Sequence, residues 1–140
     1  MGKIYTAMGL MSGTSLDGVD VSIIESDGKS EYSSILDKFY EYDDSLIQKI
    51  LKLRNKILNS NDLNKYQQEI KAIERDITLF NYKAVYETIK KANSEIDLIG
   101  FHGQTIFHNP KEKITKQLGD GKLLSQLSKK KLFMILERMI

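Results

Sequence analysis

Residues 9–24, GLMSGTSLDGVDVSII, place a turn-rich stretch between two apolar runs near the start of the chain. The run from Ile4 to Leu10 is mostly apolar, whereas Val19, Val21 and Ile23 alternate with polar residues. A period of two is typical of a strand with one buried face. The MSGTSLDG segment between the two runs is rich in residues that form turns. The pattern therefore predicts a β-hairpin closed by this loop.

The hydrophobic period changes at Asp43. Before it, the sequence SDGKS predicts a turn in which Gly28 adopts a positive φ, and a third strand is expected over 33–42. After it, apolar residues recur at steps of three and four. This spacing predicts a helix that is capped by Asp44 or Ser45.

A long apolar stripe runs from Leu63 to Ala84 with helical spacing. It predicts a second helix that ends near Ala92, after the NSND segment at 59–62 has broken the first helix and capped the next. A coiled-coil dimer would show the same stripe, but packing within the chain is favoured because residues such as Phe80 suit a zipper poorly. The stripe also defines an alternative function, a non-catalytic interaction module that binds a partner through this helix face.

Shorter segments follow the long helix. Strands are predicted at 96–101 and 114–120, and a helix is predicted at 121–128. His108 stands beside an Asn-Pro pair and is expected to be a loop residue. Three early strands followed by alternating helices and strands predict an α/β fold.

Composition excludes several classes of function. The 140-residue chain has a formal net charge of only +2, with its lysines scattered among acidic residues, so nothing indicates a nucleic-acid partner. It has no cysteine, which excludes thiolate metal sites and disulfides, and its two histidines make a multi-histidine metal centre improbable. No apolar run is long enough to span a bilayer. A cytoplasmic protein without a membrane partner is predicted.

The loop of the predicted hairpin has the chemistry of a phosphate cradle. Gly13 and Gly18 are expected to make the bend and to permit close approach of a ligand, while successive turn amides can hold an anion. The SGTS segment adds three hydroxyl groups, and Asp17 could bind a magnesium ion through its carboxylate. The alternative is an ordinary polar hairpin loop, since the same residue types fill most turns.

The order of these residues closely resembles the opening of the anhydro-N-acetylmuramic acid kinases. That family belongs to the superfamily of hexokinase, actin and the Hsp70 chaperones. The resemblance continues at IGFHGQTIFHNP, residues 99–110, and at QLGDGKLLSQ, residues 117–126. It implies the N-terminal lobe of a ribonuclease-H-like (actin/hexokinase-type) α/β fold, a mixed sheet with packed helices. In that superfamily the first hairpin cradles the phosphates of ATP.

The resemblance also implies two sets of ligand-binding residues. The ATP-binding segment would comprise Gly13, Thr14, Ser15, Leu16, Asp17, Gly18, Val19 and Asp20. The sugar would be approached by His102, Gly103, Gln104 and Thr105, with Gly119 and Asp120 lining the same cleft. Many superfamily members carry an aspartate two residues before the loop glycine, and here that position is Met11. Asp17 is therefore expected to hold Mg²⁺, with Asp20 as the alternative.

The implied reaction is the phosphorylation of 1,6-anhydro-N-acetylmuramic acid at O6 by ATP, while water opens the anhydro ring. The product is N-acetylmuramic acid 6-phosphate, an intermediate of cell-wall recycling. The general base would be an aspartate of a later glycine-rich segment, expected beyond residue 140, so no catalytic residue is assigned within the chain. The chain is thus expected to be a single N-terminal lobe, 1–140, truncated and inactive, whose exposed cleft face favours a homodimer.

The KKK run at 129–131 raises a further hypothesis about the end of the chain. Residues 129–140 would be a frameshifted tail, produced where an adenine-rich gene slips by one base. The structural alternative is that 132–136 forms a last buried strand or helix turn. Resequencing the gene would test the hypothesis, which fails if no downstream frame resumes the kinase pattern.

Overall fold

A five-stranded mixed sheet and a separate two-stranded sheet are joined by four helices. The computed structural model describes residues 3–29 and 31–136. The strands are β1 (Tyr5–Met11), β2 (Gly18–Ser26), β3 (Tyr32–Glu41), β4 (Leu98–Phe101), β5 (Gln104–Asn109), β6 (Ile114–Leu118) and β7 (Lys131–Met134). The helices are α1 (Asp44–Lys56), α2 (Asp62–Lys65), α3 (Gln67–Ala92) and α4 (Gly121–Ser128).

The large sheet has the strand order β3-β2-β1-β4-β7, and β5 pairs with β6 in the small sheet. The first three strands are antiparallel, whereas β4 and β7 run parallel to β1 and to each other. This mixed sheet with packed helices confirms the predicted α/β class. Because β1, β4 and β7 are parallel, their carboxyl ends meet at one edge of the sheet, which is where open α/β sheets bind ligands.

The alternating pattern of β2 reflects the two faces of the sheet. Val19, Val21 and Ile23 are at most 1% exposed and lie in the core. The other face carries side chains such as Phe39 and Phe133, which are 49% and 53% exposed. The period of two in the sequence therefore identified the buried face correctly.

The apolar stripe of α3 packs within the chain, as predicted. Ile70, Ile73, Ile77 and Ala84 are at most 5% exposed and belong to the same core cluster as the sheet residues. The side chains that an interaction module would present are therefore already buried. In the part of the chain that the structure describes, no helix is long and apolar enough to cross a membrane.

Two predicted helix boundaries were wrong. The cap of α1 is Asp43, whose carboxylate accepts a hydrogen bond from the Leu46 amide at 2.8 Å, because the chain is still extended at Asp43. The second helix is interrupted at Tyr66, which separates α2 from α3. The NSND segment forms a turn in which Asn59 and Asp62 accept backbone amides, and no side-chain hydrogen bond caps α2. Asn93 ends α3 in the left-handed conformation.

The strand β5 was missed, and His108 was wrongly assigned to a loop. His108 lies in β5 opposite Thr115, and its Nδ1 is 2.7 Å from the threonine hydroxyl. The strands β4 and β6 are also shorter than predicted. Residues 131–134 form β7, half-buried beside β4, which corresponds to the structural alternative for this segment. The predicted positive φ of Gly28 is confirmed at 77°.

Candidate functional site

The loop of residues 12–17 connects β1 to β2, whose antiparallel pairing confirms the predicted hairpin. The bend, however, is not made by the glycines. Leu16 is the loop residue with a positive φ, 59°, and its side chain is only 2% exposed. The core therefore holds Leu16 in a conformation that is unfavourable for a non-glycine residue. Burial of one apolar side chain anchors the loop and leaves its polar residues outside.

The two loop glycines have different roles. A Cβ at Gly18 would lie 2.1 Å from the Tyr40 carbonyl oxygen, so the close approach of β3 requires glycine there. A Cβ at Gly13 would meet only Ser15, at 3.6 Å or more. The fold therefore has room for a side chain at Gly13, and the bare backbone at this position is free for a ligand to approach.

The carbonyl groups of the loop are held by the protein. The Gly13 carbonyl accepts from Gln104 Nε2 at 2.9 Å, and the Thr14 carbonyl accepts from Arg54 Nη1 at 3.1 Å. All peptide bonds in the described chain are trans, so each amide N–H points away from the preceding carbonyl. Among the described residues, the amides of Thr14 and Ser15 donate to no protein group. Both residues are exposed, so these two amides face solvent as anion donors.

A buried polar network supports the loop from inside. Tyr42 is 2% exposed, and its hydroxyl donates to Gln104 Oε1 at 3.1 Å and lies 3.2 Å from Ser12 Oγ. Because the single phenolic proton goes to Gln104, the Ser12 hydroxyl must donate to Tyr42. Burial, together with the charge of Asp17, raises the pKa of Tyr42, and the hydrogen bond from Ser12 opposes the rise. The phenol therefore stays neutral at physiological pH.

The two candidate magnesium residues lie near the end of the loop, Asp17 as its last residue and Asp20 in β2. Asp17 is exposed and accepts a hydrogen bond from the Ser15 hydroxyl at 2.7 Å. Asp20 lies in β2 and pairs with Met11, so its side chain projects from the exposed face of the sheet. Within residues 3–29 and 31–136, no three acidic or histidine side chains cluster to hold a metal. The donor set fits Mg²⁺ that is bound by one carboxylate, water and phosphate oxygens.

The predicted sugar-binding residues surround the turn between β4 and β5. The amide of His102 donates to the Leu10 carbonyl at 3.0 Å, which places this turn beside the end of β1. The His102 side chain is half-buried, with Nδ1 3.1 Å from the Gly103 carbonyl oxygen. Gly103 has a φ of 76°, and a Cβ there would lie 2.3 Å from the Leu118 carbonyl oxygen. Glycine is therefore required for the turn.

Gln104 and Thr105 are less accessible than the resemblance implied. Gln104 is fully buried, and its amide donates to the Gly13 and Thr105 carbonyl groups. Thr105 is 8% exposed. In the structure as described, the half-buried His102 side chain is the most open of the HGQT residues to solvent.

The third motif meets the second through its glycine. A Cβ at Gly119 would lie 3.3 Å from the Gly103 Cα, so the two turns are in direct contact. Asp120 is exposed and caps α4, where its Oδ1 accepts from the Leu123 amide at 3.0 Å. With the Gly13–Gln104 hydrogen bond, this contact brings all three motifs to one edge of the sheet.

Sequence reasoning missed two residues of this site, Tyr42 and Arg54. Tyr42 was only the last residue of the strand predicted over 33–42, and Arg54 was not singled out. Nothing local marks either residue, because Tyr42 and Arg54 reach the loop from 30 and 40 positions away through the packing of the chain. The one available signal for Tyr42 was its polar hydroxyl at a position expected to be buried, because a buried polar group needs a hydrogen-bond partner.

Comparison with known proteins gives one consistent result. The sequence profile of the anhydro-N-acetylmuramic acid kinase family matches residues 5–135. A protein named anhydro-N-acetylmuramic acid kinase from Pelagibacter ubique is 56% identical over 93% of the chain. Proteins of the same name from Agrobacterium fabrum and Rhizobium etli are 37% and 36% identical over 90% of it. The chain spans about a third (35%) of the length of these curated relatives. It belongs to the anhydro-N-acetylmuramic acid kinase family.

Proposed function

We propose that this chain is the part of a carbohydrate kinase that holds the phosphates of ATP and one side of a sugar substrate. The substrate proposed from the family is 1,6-anhydro-N-acetylmuramic acid. Its O6 takes the γ-phosphoryl group while water adds at C1 and breaks the C1–O6 bond, which yields N-acetylmuramic acid 6-phosphate and ADP. The observation that carries the proposal is the pair of open amides at Thr14 and Ser15 beside an unobstructed Gly13.

The loop has three properties that a phosphate site needs. Two backbone N–H groups face solvent, the Thr14 hydroxyl stands on the same exposed stretch, and Arg54 places a positive charge next to it. Mg²⁺, when bound with ATP, supplies positive charge to the phosphates, and Asp17 is the residue we propose to hold it. Hydrogen bonds to phosphate oxygens are stronger than hydrogen bonds to neutral acceptors, because the phosphate oxygens are charged.

The sugar-binding side is proposed to be His102, Gly103 and Asp120. The contact between the two glycine turns places His102 and Asp120 on the same edge of the sheet, where each can exchange hydrogen bonds with sugar hydroxyl groups. Asp120 already accepts one amide of α4 through one carboxylate oxygen, which leaves lone pairs for a ligand. In this proposal the chain's residues bind and orient, and the carboxylate that activates water belongs to a later segment of the full-length family members.

Calorimetric titration of the chain with Mg–ATP tests the nucleotide site. Gly13→Val should weaken binding at least about tenfold, because its side chain fills the space next to the open amides and a lost hydrogen bond to a charged group costs about 1.5–3 kcal/mol. Gly9→Val is the matched control, since a Cβ at Gly9 meets no atom within 4 Å and this residue lies outside the loop. No binding by the wild type, or equal loss in both variants, would contradict the site.

A second titration distinguishes the magnesium residues. Asp17→Asn should weaken the binding of Mg–ATP more than that of ATP in the presence of a chelator, because only the metal-bound form uses the carboxylate. Asp20→Asn serves as the comparison, since Asp20 lies on the exposed face of the sheet. If Asp20→Asn alone removes the dependence on magnesium, the metal assignment moves from Asp17 to Asp20.

A further inference from the structure

We infer that Tyr42 and Gln104 form a positioning device that aims the amide of Thr14 outward, toward the phosphates of a bound nucleotide. This inference rests on the proposed function and deepens it, because it assigns Gln104 to the nucleotide loop. Tyr42 lies outside all three motifs. Its side chain lies between the first motif, at Ser12, and the second, at Gln104.

The orientation of one side-chain amide decides the direction of the backbone. Gln104 Oε1 accepts from the Tyr42 hydroxyl, so Nε2 is the end of the amide that faces the Gly13 carbonyl. If the amide turned over, its Oε1 would face the Gly13 and Thr105 carbonyl oxygens, which is unfavourable. These two carbonyl groups therefore select the orientation of Gln104, and the Tyr42 hydroxyl stabilises that orientation by donating to Oε1.

The inward carbonyl then determines the outward amide. The peptide between Gly13 and Thr14 is trans and planar, so a carbonyl that points at Gln104 leaves the Thr14 N–H pointing the opposite way. Arg54 also holds the next peptide, through a hydrogen bond to the Thr14 carbonyl at the exposed side of the loop. The carbonyl groups of two consecutive peptides are thus held by the protein, which lowers the entropy that a phosphate must remove when it binds.

The hydrogen-bond network of Tyr42 and Gln104 is buried and tightly packed. Tyr42 and Gln104 are 2% and 0% exposed, so water does not compete for their hydrogen bonds. The Tyr42 ring packs edge-on against Phe80, with the ring centroids 4.9 Å apart, and its backbone amide donates to the Asp17 carbonyl at 2.9 Å. Tyr42 therefore holds both ends of the loop, one through Gln104 and the other through its own backbone.

Tyr42→Phe removes only the hydroxyl that donates to Gln104 Oε1, and it leaves this buried acceptor without its partner. We expect Mg–ATP to bind about five- to tenfold more weakly, as the loss of one buried hydrogen bond of this kind predicts. The N–H groups of Thr14 and Ser15 should become more mobile in the free protein, seen as lower backbone order parameters in 15N NMR relaxation. Tyr40→Phe is the matched control, because it removes a hydroxyl that is 2.8 Å from Thr88 Oγ1 and makes no hydrogen bond to the loop or to Gln104.

The outcomes separate this inference from the proposed function. If the wild type binds Mg–ATP and Tyr42→Phe matches Tyr40→Phe in affinity and in these order parameters, the positioning role is overturned and the nucleotide site stands. If the wild type binds no Mg–ATP, the nucleotide site is overturned, and the order parameters of the Thr14 and Ser15 N–H groups alone decide the positioning role. Ser12→Ala, which keeps the Tyr42 ring in place, is the second variant should Tyr42→Phe unfold, and it should weaken binding in the same direction.

Discussion

In and beside the hairpin loop, some residues are required for folding and another is available for ligand binding. Gly18 is confined by the backbone of β3, whereas Gly13 borders open space. Leu16 holds the left-handed position that a glycine would fill more easily, because its side chain completes the core. The loop is therefore anchored by Leu16 and Gly18 and open to a ligand at Gly13.

Replacing the two glycines by alanine should affect stability to different degrees. Gly18→Ala should lower the free energy of unfolding by about 1–3 kcal/mol, because the new Cβ would collide with the Tyr40 carbonyl. Gly13→Ala should change it by less than about 0.5 kcal/mol, since the site has room. Urea denaturation of both variants measures the difference. Equal destabilisation would show that the fold, too, constrains Gly13.

Tyr42 should make the protein sensitive to alkaline pH. Its pKa in the folded protein is raised, chiefly by burial, so the folded state retains the phenolic proton longer than the unfolded state. The stabilisation is fully present below the unfolded pKa of about 10 and is lost as the pH rises through the folded pKa. The free energy of unfolding should thus fall above about pH 10, and it should fall less steeply in Tyr42→Phe.

Urea denaturation at a series of alkaline pH values measures this slope. Tyr40→Phe provides the control for the other ionising groups, because it lacks the hydroxyl of a tyrosine two positions away, in β3. Parallel slopes for the wild type and Tyr42→Phe would mean that the buried phenol contributes nothing to the alkaline loss.

At the scale of elements, α3 is the helix that covers the sheet. Its buried residues face β2, β3 and the small sheet, and Thr78 and Glu74 also accept the amides of Asp120 and Gly119. The helix therefore contributes to the core and also holds the third motif in place. A helix face that is used in this way is not available to a partner protein.

Two aliphatic residues of α3 test this assignment. Ile77→Ala should lower the free energy of unfolding by about 2–5 kcal/mol, because Ile77 is fully buried and the substitution leaves a cavity. Leu79→Ala, two positions away and 38% exposed, should cost less than about 1 kcal/mol. Thermal or urea unfolding measures both. Comparable losses would contradict the orientation of the helix.

At the scale of the whole molecule, one hydrophobic cluster joins both sheets to the helices. It includes residues from β1, β2, β4 and β6 as well as α1, α3 and α4. A cluster that spans these elements couples their unfolding, because no element can leave without exposing the others. The edge where the three motifs meet is therefore supported by the entire core.

Unfolding should accordingly be a single cooperative transition. Far-ultraviolet circular dichroism, which reports the helices, and near-ultraviolet circular dichroism of the tyrosines should give coincident denaturation curves. Saturating Mg–ATP should shift both curves together to higher denaturant, by mass action on the folded state. Separate transitions would indicate that the small sheet or β7 unfolds independently of the cluster.

Local pattern in the sequence was enough to predict the hairpin, the covering helix and the bounds of α4, because periodicity and turn composition act within short windows of chain. The motifs of the candidate site were also recognisable from their order. Tertiary packing alone brought Gln104 to Gly13, 91 residues apart, and placed Tyr42 between Ser12 and Gln104. These contacts depend on the parallel pairing of β1 with β4, a long-range register that no local window encodes.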